Sequence, residues 1–129
     1  MVDSSVWIGN LRGDLNDAVV KLHAMDFLRD RVIVPDLVLV EVLRGANSEA
    51  NAARIERDLR QFEIVQIGGE RLSVDAARHY RHLRGMGVTI RSTVDLMIGA
   101  FCIWQGCFLL HHDRKDFRPM EQYLGLRCL

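Results

Sequence analysis

The chain has 129 residues and a mass of 14.8 kDa, the size of one compact domain. Apolar residues make up 49% of it and charged residues 26%, with two prolines and ten glycines, which excludes a disordered chain, a collagen-like fibre and a disulfide-scaffolded miniprotein. Seventeen basic residues balance seventeen acidic ones, so no global field draws the chain to nucleic acid or membrane, and any such contact needs a local patch.

The basic side is nearly all arginine, Lys21 and Lys115 being the only lysines. The flat donor fork of arginine suits phosphate or carboxylate, and GC-rich coding produces the same bias without function. Cys102, Cys107 and Cys128 are odd in number and show no C-x-x-C spacing, so they read as reduced core residues. Asp3, Arg12 and Asp14 stand where a signal peptide needs an apolar stretch. The greasiest window, 96–110, falls short of the roughly 20 residues of a membrane span. The expectation is a soluble, cytoplasmic protein without membrane contact.

In chain order, Met1-Val2 reads as a very short strand, followed by a polar turn and a helix that Gly13 closes. Apolar residues recur at helical spacing from Asp14 to Asp30, and Val32-Ile33-Val34 is a buried strand. Residues 37–43 continue apolar towards a helix stop at Gly45. Ser48 to Phe62 is an amphipathic helix, Ile64 to Ile67 a strand ended by Gly68-Gly69, and Glu70 to Arg84 an arginine-rich helix. Ser92 to Trp104 is apolar nearly all round, hence a buried helix, with Trp7 and Trp104 both read as core. Cys107 to Leu110 is a further strand, before His111-His112-Asp113 and a short charged segment. Short apolar strands alternating with helices, and no Asn-Gly hairpin, predict a parallel sheet between helices in a single domain, 1–129. Ligands in such folds gather beyond the carboxyl ends of the strands.

Four carboxylates stand out there against apolar sequence. Asp3 follows the first strand, Asp113 the last, Asp95 opens the buried helix, and Glu41 interrupts Leu37-Val38-Leu39-Val40-Glu41-Val42-Leu43. Each also admits a structural role. Asp3 and Asp113 suit helix caps, Ser92-Thr93-Val94-Asp95 matches a capping box, and Glu41 suits a buried salt bridge to Arg44 or Arg12. Taken together at one end of a sheet, like charges repel by about 1 to 4 kcal/mol per close pair, which a divalent cation offsets. Oxygen ligands without cysteine or paired histidine suit Mg²⁺ or Mn²⁺, and such a site serves phosphoryl transfer.

Val2-Asp3-Ser4-Ser5-Val6-Trp7-Ile8, Leu39-Val40-Glu41-Val42-Leu43-Arg44-Gly45, Thr93-Val94-Asp95-Leu96-Met97-Ile98-Gly99-Ala100 and Leu109-Leu110-His111-His112-Asp113-Arg114-Lys115-Asp116-Phe117 follow one another in this order. With these four motifs the sequence resembles the PIN-domain ribonucleases, and among them the VapC toxins of bacterial VapBC toxin–antitoxin modules. The resemblance implies a PIN-like three-layer α/β/α fold with a short, mainly parallel central sheet. It implies Asp3, Glu41, Asp95 and Asp113 as catalytic, Mg²⁺-holding residues, with Mn²⁺ able to substitute. Asp116 matches a further acidic position, and Ser5 a small polar position that orients the first aspartate. The activity implied is endonucleolytic RNA cleavage restrained by a VapB-type antitoxin, in a chain that forms homodimers. Only Met1 and Val2 precede Asp3, fewer strand residues than the family usually carries, so either this strand is short or the true start lies upstream.

The basic residues have two readings. Arg71, Arg78, Arg81 and His82 lie opposite the apolar stripe of their helix, with Asp75 among them, as a solvated face or as contacts to an RNA backbone. His111-His112 lack a further ligand at zinc spacing. A response-regulator domain would need a paired acid where Ser4-Ser5 stands, and neither phosphate-binding glycine motif occurs. The competing reading is a catalytically silent PIN-like module that binds RNA or protein.

Overall fold

Helix α1 (Ser4–Arg12) begins one residue after Asp3 because Asp3 caps it. The Asp3 backbone is extended, its side chain accepts the Ser5 N–H, and Gly13 closes the helix in the left-handed conformation open to glycine. The computed structural model describes residues 1–112 and 115–129. The chain divides into two compact units, Met1–Gln66 with Leu110–His112, and Ile67–Leu109 with Asp113–Leu129.

The first unit continues through α2 (Asp17–His23), β1 (Ile33–Pro35), α3 (Asp36–Leu43), α4 (Glu49–Leu59) and β2 (Glu63–Val65). Strands β1 and β2 are parallel, with Val34 opposite Ile64. Val2 lies beside β1, its N–H donating to the Ile33 carbonyl at 3.3 Å, and bridges Leu110 in parallel on its other side. The Leu110 N–H donates to the Met1 carbonyl, and the Asp3 N–H to the Leu110 carbonyl, each at 2.9 Å. The opening strand therefore ends on Asp3, whose carboxylate stands at its carboxyl end. Val2 and Val34 of the strands are buried, and so are Val6 of α1 and Val38 of α3, as apolar strands covered by helices require.

The helix expected over 14–30 is shorter. Asn16 takes the cap, accepting the Ala18 and Val19 N–H groups at 3.1 Å, and the helix ends at His23. Asp26 then accepts the Leu28 N–H, and Asp30 the Asp26 N–H, so local side-chain bonds replace helical ones and leave Leu28 in solvent.

The second unit contains α5 (Gly69–Gly85), α6 (Thr93–Gln105), β3 (Phe108–Leu109), α7 (Phe117–Leu124) and β4 (Arg127–Cys128). Strands β3 and β4 are parallel, pairing Phe108 with Arg127 and Leu109 with Cys128. Helix α6 buries Leu96, Ile98, Ala100, Phe101 and Cys102, and a Cβ on Gly99 would collide with the Met120 thioether that packs there. Helix α7 replaces part of the segment read as merely charged. Its Phe117 and Met120 are fully buried, but one short helix supplies too few turns for its periodicity to show. Trp104 corrects the reading of α6 as buried throughout: it is 49% exposed, whereas Trp7 is core. Cys102 is buried, while Cys107 and Cys128 are only partly so. Among the described residues no helix is long and apolar enough to cross a membrane.

Candidate active site

In the first unit two carboxylates are held by consecutive serines of the first turn of α1. Ser4 Oγ donates to Glu41 Oε2 at 2.5 Å, and Ser5 Oγ donates to Asp3 Oδ2 at 2.5 Å. The Ser5 N–H adds a second bond to the same Asp3 oxygen at 2.9 Å. Ser5 Oγ in turn accepts the His112 N–H at 3.0 Å, tying the segment after Leu110 to the start of α1. Asp3 is fully buried and Glu41 half-buried. Among the described residues neither Arg12 nor Arg44 forms a salt bridge with Glu41. Among the described residues the Glu41 carboxylate, set in the apolar run of α3, is met by a hydroxyl and not by a cation.

Ser4 was not singled out from sequence. Its signal was the Ser4-Ser5 doublet directly after Asp3: neighbours on a helical turn project in different directions and can serve two carboxylates. Ser5, by contrast, donates to Asp3 through both its Oγ and its N–H.

In the second unit Ser92 caps α6, its Oγ accepting the Asp95 N–H at 3.1 Å. The reciprocal half of the expected capping box is made by another residue. The Ser92 N–H donates to Asp116 Oδ2 at 2.7 Å, and the Arg91 N–H joins it at 3.0 Å. Asp116 thus fixes the entry to α6, and Asp95, in the first turn of that helix, is a buried carboxylate, 3% exposed. Asp113 lies outside the described residues.

The donors are hard oxygens, carboxylate and hydroxyl, the set that fits Mg²⁺ or Mn²⁺ in kind. Among the described residues no group of three or more His, Cys, Asp or Glu side chains stands ready to hold a metal. The arginines of α5 divide. Arg78 is neutralised by Asp75 at 2.8 Å, Arg71 lies over the Trp104 ring, and Arg81 is exposed.

An α/β fold with short parallel strands, an aspartate at the end of the first, and an acidic residue in each of two apolar helices define a PIN domain, and the chain belongs to that family: the PIN domain profile matches residues 1–121. By sequence it is similar to Ribonuclease VapC11 of Mycobacterium tuberculosis and to a VapC ribonuclease of Mycobacterium bovis, each 25% identical over 129 residues, covering 99% of this chain and 96% of theirs. In fold it is similar to VapBC2 from Rickettsia felis, solved bound to a promoter DNA fragment, with TM-score 0.79 and 16% identity over 100% of this chain and 96% of that one. VapBC-1 from nontypeable Haemophilus influenzae is similar at TM-score 0.76 and 16% identity, over 100% and 95%.

Proposed function

We propose that this chain is a Mg²⁺-dependent endoribonuclease and the toxin of a type II toxin–antitoxin module, acting in the cytoplasm as a homodimer and restrained by a VapB-type antitoxin. The observation that carries the reading is the pair of serine-held carboxylates, Asp3 and Glu41, with no cation beside Glu41 among the described residues, in a PIN chain whose relatives bear the name VapC.

Asp3, Glu41, Asp95 and Asp113 would hold the metal. When bound, Mg²⁺ lowers the pKa of a water and neutralises the scissile phosphate. The chain's own residues supply geometry. Ser5 fixes the Asp3 carboxylate and Ser4 that of Glu41, so neither swings out of line when substrate arrives. Asp116 holds the peptide entering α6, which sets the direction in which Asp95 projects. Carboxylates alone offer a phosphodiester only repulsion, so hydrolysis by these residues requires a cation.

The test is cleavage of single-stranded RNA by the purified protein. We expect cleavage in Mg²⁺ or Mn²⁺, none in EDTA, and inhibition when the antitoxin is added back. Cleavage undiminished in EDTA, or an intact protein inert towards RNA with either metal, would overturn the reading.

A further inference from the structure

The carboxyl end of α6 carries a surface that the acidic residues do not use. Trp104, in its last turn, is 49% exposed, and Phe108, opening β3, is 46% exposed. A guanidinium lies over each ring: Arg71 of α5 is 5.2 Å from the Trp104 centroid, and Arg127 of β4 is 4.4 Å from that of Phe108. The fold imposes both pairs. Phe108 and Arg127 are register partners in the parallel ladder, and α5 packs on α6 so that its first turn meets the last turn of the other. Phe101 steadies the Trp104 ring edge-on at 6.2 Å.

Among the described residues neither Arg71 nor Arg127 has a carboxylate at salt-bridge distance. An arginine stacked on a ring keeps its in-plane N–H groups directed outward, where they reach phosphate oxygens. Trp104 and Phe108 are four residues apart, so their backbones lie within about 14 Å. Exposed flat rings beside uncompensated cations are what single-stranded nucleic acid uses: bases stack on ring or guanidinium planes, and phosphates take the N–H groups. A chain of zero net charge needs such a local patch to hold a polyanion. Along α6, at about 1.5 Å per residue, Trp104 lies roughly 14 Å from Asp95.

We propose that Trp104, Phe108, Arg71 and Arg127 form an accessory platform that grips single-stranded RNA at a distance from Asp95. The choice of RNA as occupant rests on the ribonuclease reading above. The platform adds binding energy and sets which part of a strand is presented for cleavage.

The test is binding of a short fluorescein-labelled single-stranded RNA in EDTA, where cleavage is silent, followed by anisotropy and tryptophan emission. The chain has two tryptophans and Trp7 is buried, so quenching by RNA reports Trp104. Trp104→Ala and Phe108→Ala should each weaken binding about 5- to 100-fold, and Trp104→Phe much less. Arg71→Ala should flatten the slope of log affinity against log salt by about 0.7. With Mg²⁺ added, Trp104→Ala should raise KM and leave kcat. If either aromatic variant fails to fold, Arg71→Glu and Arg127→Glu, both at exposed positions, carry the same test. Unchanged RNA affinity in well-folded variants overturns the platform, and so does a dimer-to-monomer shift at unchanged affinity, which would give the face to a second copy. Wild type that binds RNA through Trp104 yet never cleaves it sinks the nuclease reading alone; wild type that cleaves, with Trp104 irrelevant to affinity, sinks the platform alone.

Discussion

The two units hold their carboxylates by different means. In the first, Asp3 and Glu41 are each met by a serine hydroxyl, and no arginine reaches Glu41 among the described residues. In the second, Asp116 accepts two backbone N–H groups, and Asp95 is a buried acid in the turn that Asp116 secures. Asp3 takes both the Ser5 hydroxyl and the helix-entry Ser5 N–H, so it serves the start of α1 as Asp116 serves the start of α6, whereas Glu41 is met by the Ser4 hydroxyl. Acidic residues equally prominent in sequence thus differ in what meets them: helix-entry N–H groups at Asp3 and Asp116, a hydroxyl at Glu41.

Substitutions test that difference, and the carboxylates themselves come first. Asp3→Asn, Glu41→Gln and Asp95→Asn should each lower RNA cleavage on the order of 100-fold or more, since each keeps shape and loses charge. Cleavage rates at saturating Mg²⁺ check this, and a Glu41→Gln protein with wild-type rates would return Glu41 to a structural role. Next come the hydroxyls. Ser4→Ala and Ser5→Ala should reduce cleavage about 10-fold or somewhat more at a stability cost of about 1 kcal/mol each, because each removes a hydroxyl that holds a carboxylate. A loss of stability without a loss of activity would mean that the serines hold α1 rather than the carboxylates.

Asp116→Ala should lose about 0.5 to 2 kcal/mol of stability, a few degrees in Tm, with a smaller effect on rate once folded. Thermal melts beside cleavage at low temperature separate the two, and a folded Asp116→Ala protein as inactive as Asp95→Asn would make Asp116 a ligand. The smallest effect belongs to the far end of α6. A bond to Cys102 holds the Cys107 thiol down at about 6, while burial, with Glu121 nearby, pushes Cys128 up to about 11. Thiolate is the reactive form, so iodoacetamide should label Cys107 first at pH 7, more slowly below pH 6 as the thiol is protonated, and Cys128 last. Mass spectrometry gives the order in which the thiols are labelled.

Much was legible in the chain because it was local. Apolar runs of strand length, the Gly13 stop, the Ser92 cap and carboxylates set against apolar neighbours each depend on a few adjacent residues, and together they specify an α/β PIN domain. What sequence could not decide was every outcome settled by a partner distant along the chain. Ser4 finds Glu41 across 37 positions, Asp116 reaches back across 24 to accept the Ser92 N–H, and the His112 N–H crosses 107 to Ser5. Asn16 shortened α2 by local capping, but α7 and the two-residue β4 owe their existence to burial of Phe117 and Met120 and to pairing with β3, which no window of that length reveals. Trp104 shows the same limit from the other side: its helix reads as buried all round, and only packing determined that its last turn would face water with an arginine over the ring. Residue type states what a side chain is able to do; the tertiary structure alone decides which distant group it meets, because that choice depends on loop closure and packing that local sequence does not encode.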